Sequence, residues 1–313
     1  MMAPAARRRT SGALSIPGVA SASRSLALAL AWLLALSTAC AAGNRPERIV
    51  SLNLCADQLL VELVAPNRIA AVSHLGPDPQ VSAAAARMRG WRTVRGDAEE
   101  VLTLDPDLVV AVAFSRPQTV ALLQRLGRRV IVLPLAGSFS GIREAISTLA
   151  AALGESGRGA ALIARLDAGL AAGGTVAGRL DEGRARYGAL ALQVGSLVSG
   201  PGSLLDEALG AAGFANAARR HRLGPGGRLP LENLVAAPPD LIVLANDPLE
   251  FRTAAADNLR HPALRALLAR TAHMVLPLPS WICGGPAAVE MMARLIRARQ
   301  DLEATGQPPA RAQ

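Results

Sequence analysis

The sequence contains few aromatic residues and few cysteines, and its histidines are scattered. Aromatic residues make up 3% of the 313 residues. The chain has four histidines, which are His74, His221, His261 and His273. No two of them stand at metal-ligand spacing on one predicted element, so a zinc or manganese site built by the protein itself is not expected. The net charge of +9 comes from arginines spread over predicted helix surfaces. No dense basic run interleaved with aromatic residues occurs, which argues against nucleic-acid binding.

The N-terminal segment has the pattern of an export signal. Arginines come first, an apolar run over residues 25–36 follows, and small residues continue to Ala42. The apolar run is too short to span a bilayer comfortably and fits the hydrophobic region of a signal peptide. A buried N-terminal helix is the alternative. We therefore predict a signal segment over residues 1–42 and a periplasmic location for the rest of the chain.

The end of this segment leaves the mode of export open. Residues 36–40 resemble a bacterial lipoprotein box that would attach lipid to Cys40, although Ser37 stands where leucine is expected. Ordinary cleavage after Ala41 or Ala42 is equally available. Soluble export is the preferred prediction, with lipid anchoring through Cys40 as the alternative.

A short pattern occurs twice in the chain. Residues 97–110 and residues 230–243 each place a glutamate near the start of a predicted helix, continue to a Pro-Asp pair and end in an apolar run. Proline cannot continue a helix, and an acidic first turn suits the positive helix end. The apolar run is typical of a strand covered on both faces. The repeat predicts two similar α/β halves, and two halves imply a cleft.

Strand and helix patterns alternate along both halves, which indicates mainly parallel central sheets. We predict an N-terminal α/β lobe over residues 43–154 and a C-terminal α/β lobe over residues 183–303. Between them, residues 155–182 have helical spacing and would reach about 40 Å as one helix. Its glycines each weaken it by roughly 1 kcal/mol, so its second half is expected to bend or break. Residues 304–313 are predicted to be a disordered tail.

Five phrases of the sequence match one protein family in their order and spacing. They are residues 48–52, 99–110, 199–203, 231–243 and 281–286. Together they resemble the helical-backbone (cluster III) periplasmic binding proteins of ABC importers, the class that carries ferric siderophores, haem and cobalamin. The resemblance covers about residues 46–303. It implies two α/β lobes bridged by one long helix, a ligand held in the cleft between them, and a small hinge motion.

The resemblance also implies a docking surface for a membrane permease. In this family a glutamate on each lobe docks onto arginines of the permease, and Glu99 and Glu232 stand at the matching positions. Two carboxylates at equivalent points of two lobes would form a bipartite acidic surface. The alternative is that each is only a helix-start residue favoured by the dipole, and Glu100 is a weaker substitute for Glu99. We expect a monomer that binds a small-molecule metal chelate and an ABC permease dimer with its ATPase subunits.

Candidate ligand contacts follow from the rule that ligands gather at the carboxyl ends of strands in open α/β sheets. An anionic chelate would suit Arg116, and a flat ring would suit Phe114 or Trp281. A solvated arginine and a packing tryptophan are equal alternatives, and His74 is a weak candidate for capping a metal centre. Arg95 is added by the resemblance. The predicted ligand-binding residues are Asn53, His74, Arg95, Phe114, Ser115, Arg116, Ser196, Ser199, Asn246 and Trp281.

The expected ligand is a ferric siderophore or a corrinoid of the cobalamin type, with no separate cofactor and no metal bound by the chain itself. Tyr187 is the only tyrosine and begins a predicted strand, so a tyrosine-ligated haem site has little support. The low aromatic content departs from the aromatic-lined pockets of siderophore and cobalamin receptors. The two ligand classes therefore stay unranked.

Cys55 and Cys283 are the two cysteines that remain after the signal segment. Export makes a disulfide between them chemically permissible, and two unpaired thiols are an equal alternative. Both cysteines adjoin predicted elements whose ends face the cleft. A bond between them would tie the lobes together near the ligand and limit opening.

An exported α/β hydrolase is the enzyme alternative. It needs a nucleophile in a Gly-x-Ser-x-Gly turn between a strand and a helix, with a downstream acid and histidine. Residues 137–141 resemble that turn only superficially, since two serines compete and the spacing is wrong. A scavenger or sensor that uses the same cleft without transport is a further alternative. The sequence favours a receptor that binds and delivers a ligand without catalysis.

Overall fold

The computed structural model describes residues 45–134, 136–177, 187–245 and 257–305. From Pro46 onward they belong to one compact unit. Two α/β lobes lie in this unit, so the predicted fold class is confirmed. The predicted signal segment with Cys40 and most of the predicted tail lie outside the described residues. No helix in the described ranges is long and apolar enough to cross a membrane.

Lobe 1 contains a five-stranded parallel sheet in the order β3-β2-β1-β4-β5. Its strands are β1 (Ile49–Ser51), β2 (Ile69–Ser73), β3 (Thr93–Val94), β4 (Leu108–Val112) and β5 (Val130–Leu133). Its helices are α1 (Leu54–Leu63), α2 (Ala98–Leu102), α3 (Pro117–Arg125) and α4 (Phe139–Leu153). The central strands β1 and β4 are buried along their whole length. Their continuous apolar runs are therefore those of a parallel sheet covered by helices on both faces.

Lobe 2 contains a mixed six-stranded sheet in the order β11-β10-β6-β7-β9, with β8 paired to one end of β6. Its strands are β6 (Gly188–Leu192), β7 (Leu197–Ser199), β8 (Ala215–Asn216), β9 (Gly226–Arg228), β10 (Leu241–Leu244) and β11 (Ala272–Val275). Its helices are α6 (Leu204–Ala211), α7 (Leu231–Ala236), α8 (Asp257–Arg260), α9 (Pro262–Leu268) and α10 (Ala287–Ala304). Strands β6, β8, β10 and β11 are parallel, whereas β7 and β9 are added by antiparallel pairing.

The repeated Pro-Asp pair has the same structural role in both lobes. Asp107 precedes β4, and its carboxylate accepts hydrogen bonds from the backbone N–H groups of Glu47 (2.6 Å) and Arg48 (3.1 Å), just before β1. Asp240 precedes β10, and its Oδ2 accepts from the N–H of Gly188 (2.6 Å) at the start of β6. Each aspartate thus pairs the beginnings of two neighbouring parallel strands, which explains why the pair recurs.

The connecting helix α5 (Ser156–Ala177) follows lobe 1 and packs against α4 and α10. A Cβ atom at Gly169 would lie 2.5 Å from a methyl group of Val289 in α10. Gly169 is one of the glycines expected to weaken this helix. In the structure, its missing side chain permits the close approach of α10. The predicted helix to residue 182 is described only as far as Ala177.

One hydrophobic core extends through both lobes beside the connecting helix. It contains residues of α1 and α4 from lobe 1, such as Leu59 and Ile142, and residues of α6 and α10 from lobe 2, such as Leu205 and Met291. A hydrogen bond also crosses between the lobes, because Phe139 N–H at the start of α4 donates to Glu207 Oε2 of α6 at 2.7 Å. The lobes therefore meet through packed surfaces as well as through the helix.

Candidate functional site

The carboxyl ends of the lobe 1 strands border a cavity of about 310 Å³, called cavity 1 here. Asn53 and Phe114 follow β1 and β4, and Leu133 ends β5, so these three residues come from adjacent strands. The other lining residues come from α1, α4, the last residue of β4 and three connecting segments. They are Leu54, Cys55, Leu59, Leu75, Val112, Pro134, Ala136, Ile142, Ala145, Ile282 and Cys283. The cavity wall is therefore mainly apolar.

A second cavity, of about 410 Å³, lies on the lobe 2 side and is called cavity 2. Gln193 and Ser199 adjoin β6 and β7, and Ser203 caps the start of α6. The remaining lining residues are Ala136, Gly137, Gly202, Leu204, Leu205, Pro225, Gly226, Leu278, Trp281 and Ile282. Because Ala136 and Ile282 line both cavities, the two spaces form one cleft between the lobes.

Large apolar side chains are exposed around cavity 1. Phe114 is 76% exposed, Ile282 is 43% exposed and Leu75 is 38% exposed. Exposed apolar groups gathered around a concavity mark a binding surface, because covering them removes unfavourable contact with water. The predicted residue Phe114 thus lies at the cleft, together with two residues that the sequence did not indicate.

Asn53 lies at the cleft and also begins helix α1. Its Oδ1 accepts a hydrogen bond from Cys55 N–H at 2.8 Å and so caps the helix. The carbonyl oxygen of the side chain is therefore in use, and the amide nitrogen is the group that a ligand would meet. This geometry favours a ligand that accepts a hydrogen bond from Asn53.

Cys55 and Cys283 form a disulfide bond whose Cα atoms are 5.0 Å apart. Both residues line cavity 1. The bond joins the second residue of α1 in lobe 1 to the segment that leads from lobe 2 into α10. The disulfide is thus part of the cleft wall and a link between the lobes.

Trp281 and Ser199 line cavity 2, but their polar atoms already have protein partners. Trp281 is 7% exposed, and its Nε1–H donates to the carbonyl of Leu276 at 3.1 Å. Ser199 Oγ accepts a hydrogen bond from Gln193 Nε2 at 3.3 Å. Trp281 therefore acts largely as a packing residue, with part of its surface turned to the cavity.

Arg116, Arg95 and His74 lie outside the lining of both cavities. Arg116 is exposed and its guanidinium forms an ion pair with Asp97, the N-cap residue of α2. Arg95 and His74 are exposed in loops that follow β3 and β2. Each of the three follows a strand of lobe 1, but none lines a cavity. Their role in ligand binding therefore stays a prediction.

Two further predicted contacts, Ser115 and Ser196, are also absent from the lining of both cavities. Ser115 is 8% exposed, and its Oγ accepts a hydrogen bond from Val112 N–H at 3.0 Å, which closes the turn after β4. Ser196 has a positive φ of 59° between β6 and β7. Asn246 lies outside the described residues.

The two predicted docking glutamates occupy equivalent exposed positions. Glu99 lies in the first turn of α2 and Glu232 in the first turn of α7, each ahead of the repeated Pro-Asp pair. The neighbouring Glu100 has an internal use, since its Oε2 accepts a hydrogen bond from Arg95 N–H at 2.7 Å. Glu99 is the more exposed of the two, and docking through Glu99 stays a prediction.

Asp57 of α1 is a buried carboxyl group that the sequence did not indicate. Its carboxylate accepts hydrogen bonds from the N–H (3.1 Å) and the hydroxyl group (2.5 Å) of Ser73, at the end of β2. Burial raises the pKa of Asp57 to about 7, although hydrogen bonds from Ser51 and Ser73 act in the opposite direction. Asp57 therefore holds the end of β2 beside the loop that carries Leu75.

Ser138, considered with the hydrolase alternative, and Tyr187, considered as a haem ligand, both have structural roles. Ser138 caps α4, because its Oγ accepts a hydrogen bond from Gly141 N–H at 3.0 Å. Tyr187 is 7% exposed and lies under the guanidinium of Arg299, 4.3 Å from its ring centroid. Within the described ranges, no three His, Cys, Asp or Glu residues stand together as potential metal ligands.

Several cleft residues were missed by the sequence reasoning. Gln193 directly follows β6, so the rule of strand ends could have identified it. Ile142 and Ala145 enter cavity 1 from the side of α4, and helical periodicity marks them only as core residues. Ile282 lies beside the predicted Trp281, but its exposure depends on the tertiary structure.

Comparison with known proteins gives a consistent result. The model of the family described as "Periplasmic binding protein" matches residues 49–280. A protein of Halobacterium salinarum strain R1 called a cobalamin-binding protein is 29% identical over 211 residues. That alignment covers 67% of this chain, but the chain spans only 56% of the relative's own length.

Solved structures share the fold over most of the chain. The periplasmic heme-binding protein of Roseiflexus sp. RS-1 is 25% identical, with a TM-score of 0.68 over 82% of this chain and 98% of its own. The periplasmic vitamin B12-binding protein of Vibrio cholerae is 17% identical, with a TM-score of 0.63 over 83% and 98% of the two chains. At 17% identity the second likeness concerns the fold alone.

Proposed function

Since this chain belongs to the periplasmic binding protein family, we propose that it is the substrate-binding component of an ABC importer for a corrinoid of the cobalamin type. It captures the metal chelate in the cleft between its lobes and delivers it to a permease dimer with ATPase subunits. The metal is part of the cargo and the chain needs no cofactor of its own. The proposed site of action is the periplasm.

The observation that carries this proposal is the cleft formed by cavities 1 and 2 at the strand ends of both lobes. Phe114, Ile282 and Leu75 offer exposed apolar surface there. Asn53 and Gln193 offer uncharged hydrogen-bonding groups. A corrin macrocycle carries methyl groups and neutral amides around its ring, so its surface suits a wall of this chemistry. The cobalamin-binding relative supports the same ligand class.

Delivery to a permease is supported by the exposed carboxylates of Glu99 and Glu232. They lie at equivalent positions on the two lobes, so a receptor could present both to a two-fold symmetric partner. Complementary charges of this kind set the orientation and rate of docking.

Native mass spectrometry of the purified full chain tests the proposal. Cyanocobalamin, hemin and a ferric trihydroxamate are each added, and a retained one-to-one complex with cyanocobalamin is expected. Retention of hemin or the hydroxamate alone would overturn the corrinoid assignment, and retention of none would overturn the receptor function for this ligand panel.

A pair of matched variants locates the binding site. Ile282→Arg places a charge at the shared wall of both cavities and should abolish the complex, because the bound ligand would cover a charge that lacks a partner. Leu126→Arg changes a residue of similar exposure outside both cavities and should retain it. Equal binding by the two variants would show that the ligand lies elsewhere.

A further inference from the structure

The segment between β11 and α10 is fixed to both lobes around the cleft. On the lobe 2 side, Leu278 N–H donates to the carbonyl of Ala245, directly after β10, at 3.0 Å, and Ile282 N–H donates back to the carbonyl of Leu278 at 3.1 Å. On the lobe 1 side, the next residue, Cys283, is bonded to Cys55 in α1. The partners are separated by 228 residues in the sequence, so this bond joins the first helix of the unit to its last connecting segment.

Two glycines with left-handed backbone follow the disulfide, and the first of them is closely packed between the lobes. Gly284 and Gly285 have positive φ angles of 70° and 69°. A Cβ atom at Gly284 would lie 2.3 Å from Cδ1 of Ile142 in lobe 1 and 3.4 Å from Cδ2 of Leu204 in lobe 2. The chain therefore passes between α4 and α6 at a point that has no room for a side chain.

Ile282 directly precedes Cys283, so the disulfide and the closely packed Gly284 fix its position at the cleft. It lines cavities 1 and 2 and remains 43% exposed between them. A shift of the segment would move the shared wall of the two cavities. Such a shift would also pull on α1, because the disulfide joins α1 to this segment.

We propose that the Cys55–Cys283 disulfide is a functional element of the ligand site, which fixes the Ile282 wall and limits the separation of the two lobes. Cys55 and Cys283 are thus positioning residues for binding. Among the other cross-lobe contacts described above, the hydrogen bond from Phe139 to Glu207 can exchange with water and the packed apolar surfaces can slide. A covalent bond cannot exchange in this way, so it sets the limit of opening.

Distance measurement without ligand tests the opening directly. Spin labels are attached at Gln124 of α3 and Arg265 of α9, which are exposed on helices that follow the equivalent strands β4 and β10. The chain with its disulfide should give a narrow distance distribution. The double variant Cys55→Ser with Cys283→Ser should add a population at longer distance. Identical distributions would overturn the proposal, whether or not the ligand assignment is correct.

Ligand dissociation tests the second consequence, which rests on the proposed function. With cyanocobalamin as the probe, the double serine variant should release it about tenfold faster. Ile282→Ala, which retains the disulfide, should also accelerate release but leave the label distances unchanged. A merely stabilising disulfide would lower the melting temperature of the double variant without changing either measurement well below that temperature. If cyanocobalamin does not bind the unaltered chain, the proposed function fails and the distance measurement alone decides the opening.

Discussion

Lobe 1 and lobe 2 repeat one unit, yet they use it differently at the cleft. In both, the first strand precedes a helix with a polar N-cap, directly in lobe 1 and after β7 in lobe 2. In both, a later strand begins after a Pro-Asp pair whose aspartate accepts a hydrogen bond at the beginning of the first strand or just before it. Lobe 1 extends its sheet beyond β1 with parallel strands, whereas lobe 2 extends beyond β6 with antiparallel β7 and β9. The part that both lobes share carries the exposed glutamates, and the part that differs between the lobes shapes the cavities. A duplicated unit can thus keep one surface symmetrical while its cleft becomes asymmetrical.

The first helices show the same contrast at a single position. Asp57 and Glu207 each stand four residues after the N-cap, at Asn53 and Ser203 respectively. Asp57 is buried within lobe 1 and binds Ser73, whereas Glu207 reaches the other lobe and accepts from Phe139 N–H. An acidic side chain at one helical position therefore stabilises its own lobe in one case and the contact between lobes in the other.

The largest expected effect concerns the symmetrical surface. Charge reversal of both proposed docking residues, Glu99→Lys with Glu232→Lys, should abolish uptake, because like charges opposite the arginines proposed for the permease would cost several kcal/mol. Each single variant should reduce uptake to a similar extent. Uptake by cells that contain the importer measures the effect, and ligand binding by the purified variants should remain unchanged.

The matched control is Glu144→Lys, which reverses an exposed glutamate on α4. Normal uptake by this control would exclude a general effect of charge. Strongly unequal single variants would contradict the equivalence of the lobes, and normal uptake by the double variant would contradict docking at these residues.

The buried carboxyl group of lobe 1 is expected to make folding stability depend on pH. Its pKa in the folded state, about 7, is above its value in the unfolded chain, so the folded state holds the proton more tightly. The free energy of unfolding should therefore fall as pH rises from about 4 to about 7, by up to a few kcal/mol from this group. Asp57→Asn should remove this part of the dependence.

Urea unfolding of the unaltered chain and of Asp57→Asn at pH 5 and pH 8 measures how the free energy of unfolding changes with pH. Asp301→Asn, which neutralises an exposed carboxylate of α10, serves as the control and should follow the unaltered chain. If Asp57→Asn shows the same loss of stability between the two pH values as the unaltered chain, burial of Asp57 is not the cause.

The fold was largely predictable from the sequence, because its signals are local. The Pro-Asp pairs and the apolar runs marked β4 and β10, and the glycine at position 154 marked the end of α4. The contacts of Asp57 were not predictable, since Ser73 meets it only after β2 lies beside β1. The cleft was predictable where residues follow strands, as at Asn53 and Phe114. It was not predictable where α4 contributes its side, because core and cavity residues share one helical pattern.

The Pro-Asp pairs offer a test of equal geometry with unequal burial. Asp240 is half-buried and pairs with the buried start of β6, whereas Asp107 is exposed and pairs with exposed residues before β1. Asp240→Ala should lower the free energy of unfolding by about 2 kcal/mol and Asp107→Ala by about 1 kcal/mol, because water replaces the lost partner only at the exposed site. Denaturant unfolding measures both, and Asp301→Ala is the control. A larger effect at Asp107 would contradict the argument from burial.

The smallest expected effects separate the apolar side of the cleft from its polar side. Phe114→Ala should weaken cyanocobalamin binding about tenfold, since an exposed aromatic ring gains most when a ligand covers it. Gln193→Ala should weaken binding only about threefold. Gln193 already donates a hydrogen bond to Ser199, and the net gain from one more neutral hydrogen bond to a ligand is modest. Isothermal titration calorimetry measures both constants. Leu126→Ala, at an exposed leucine outside the cavities, should bind normally. The reverse order would mean that lobe 2 dominates recognition, and the exposed apolar surface of lobe 1 would then need another explanation.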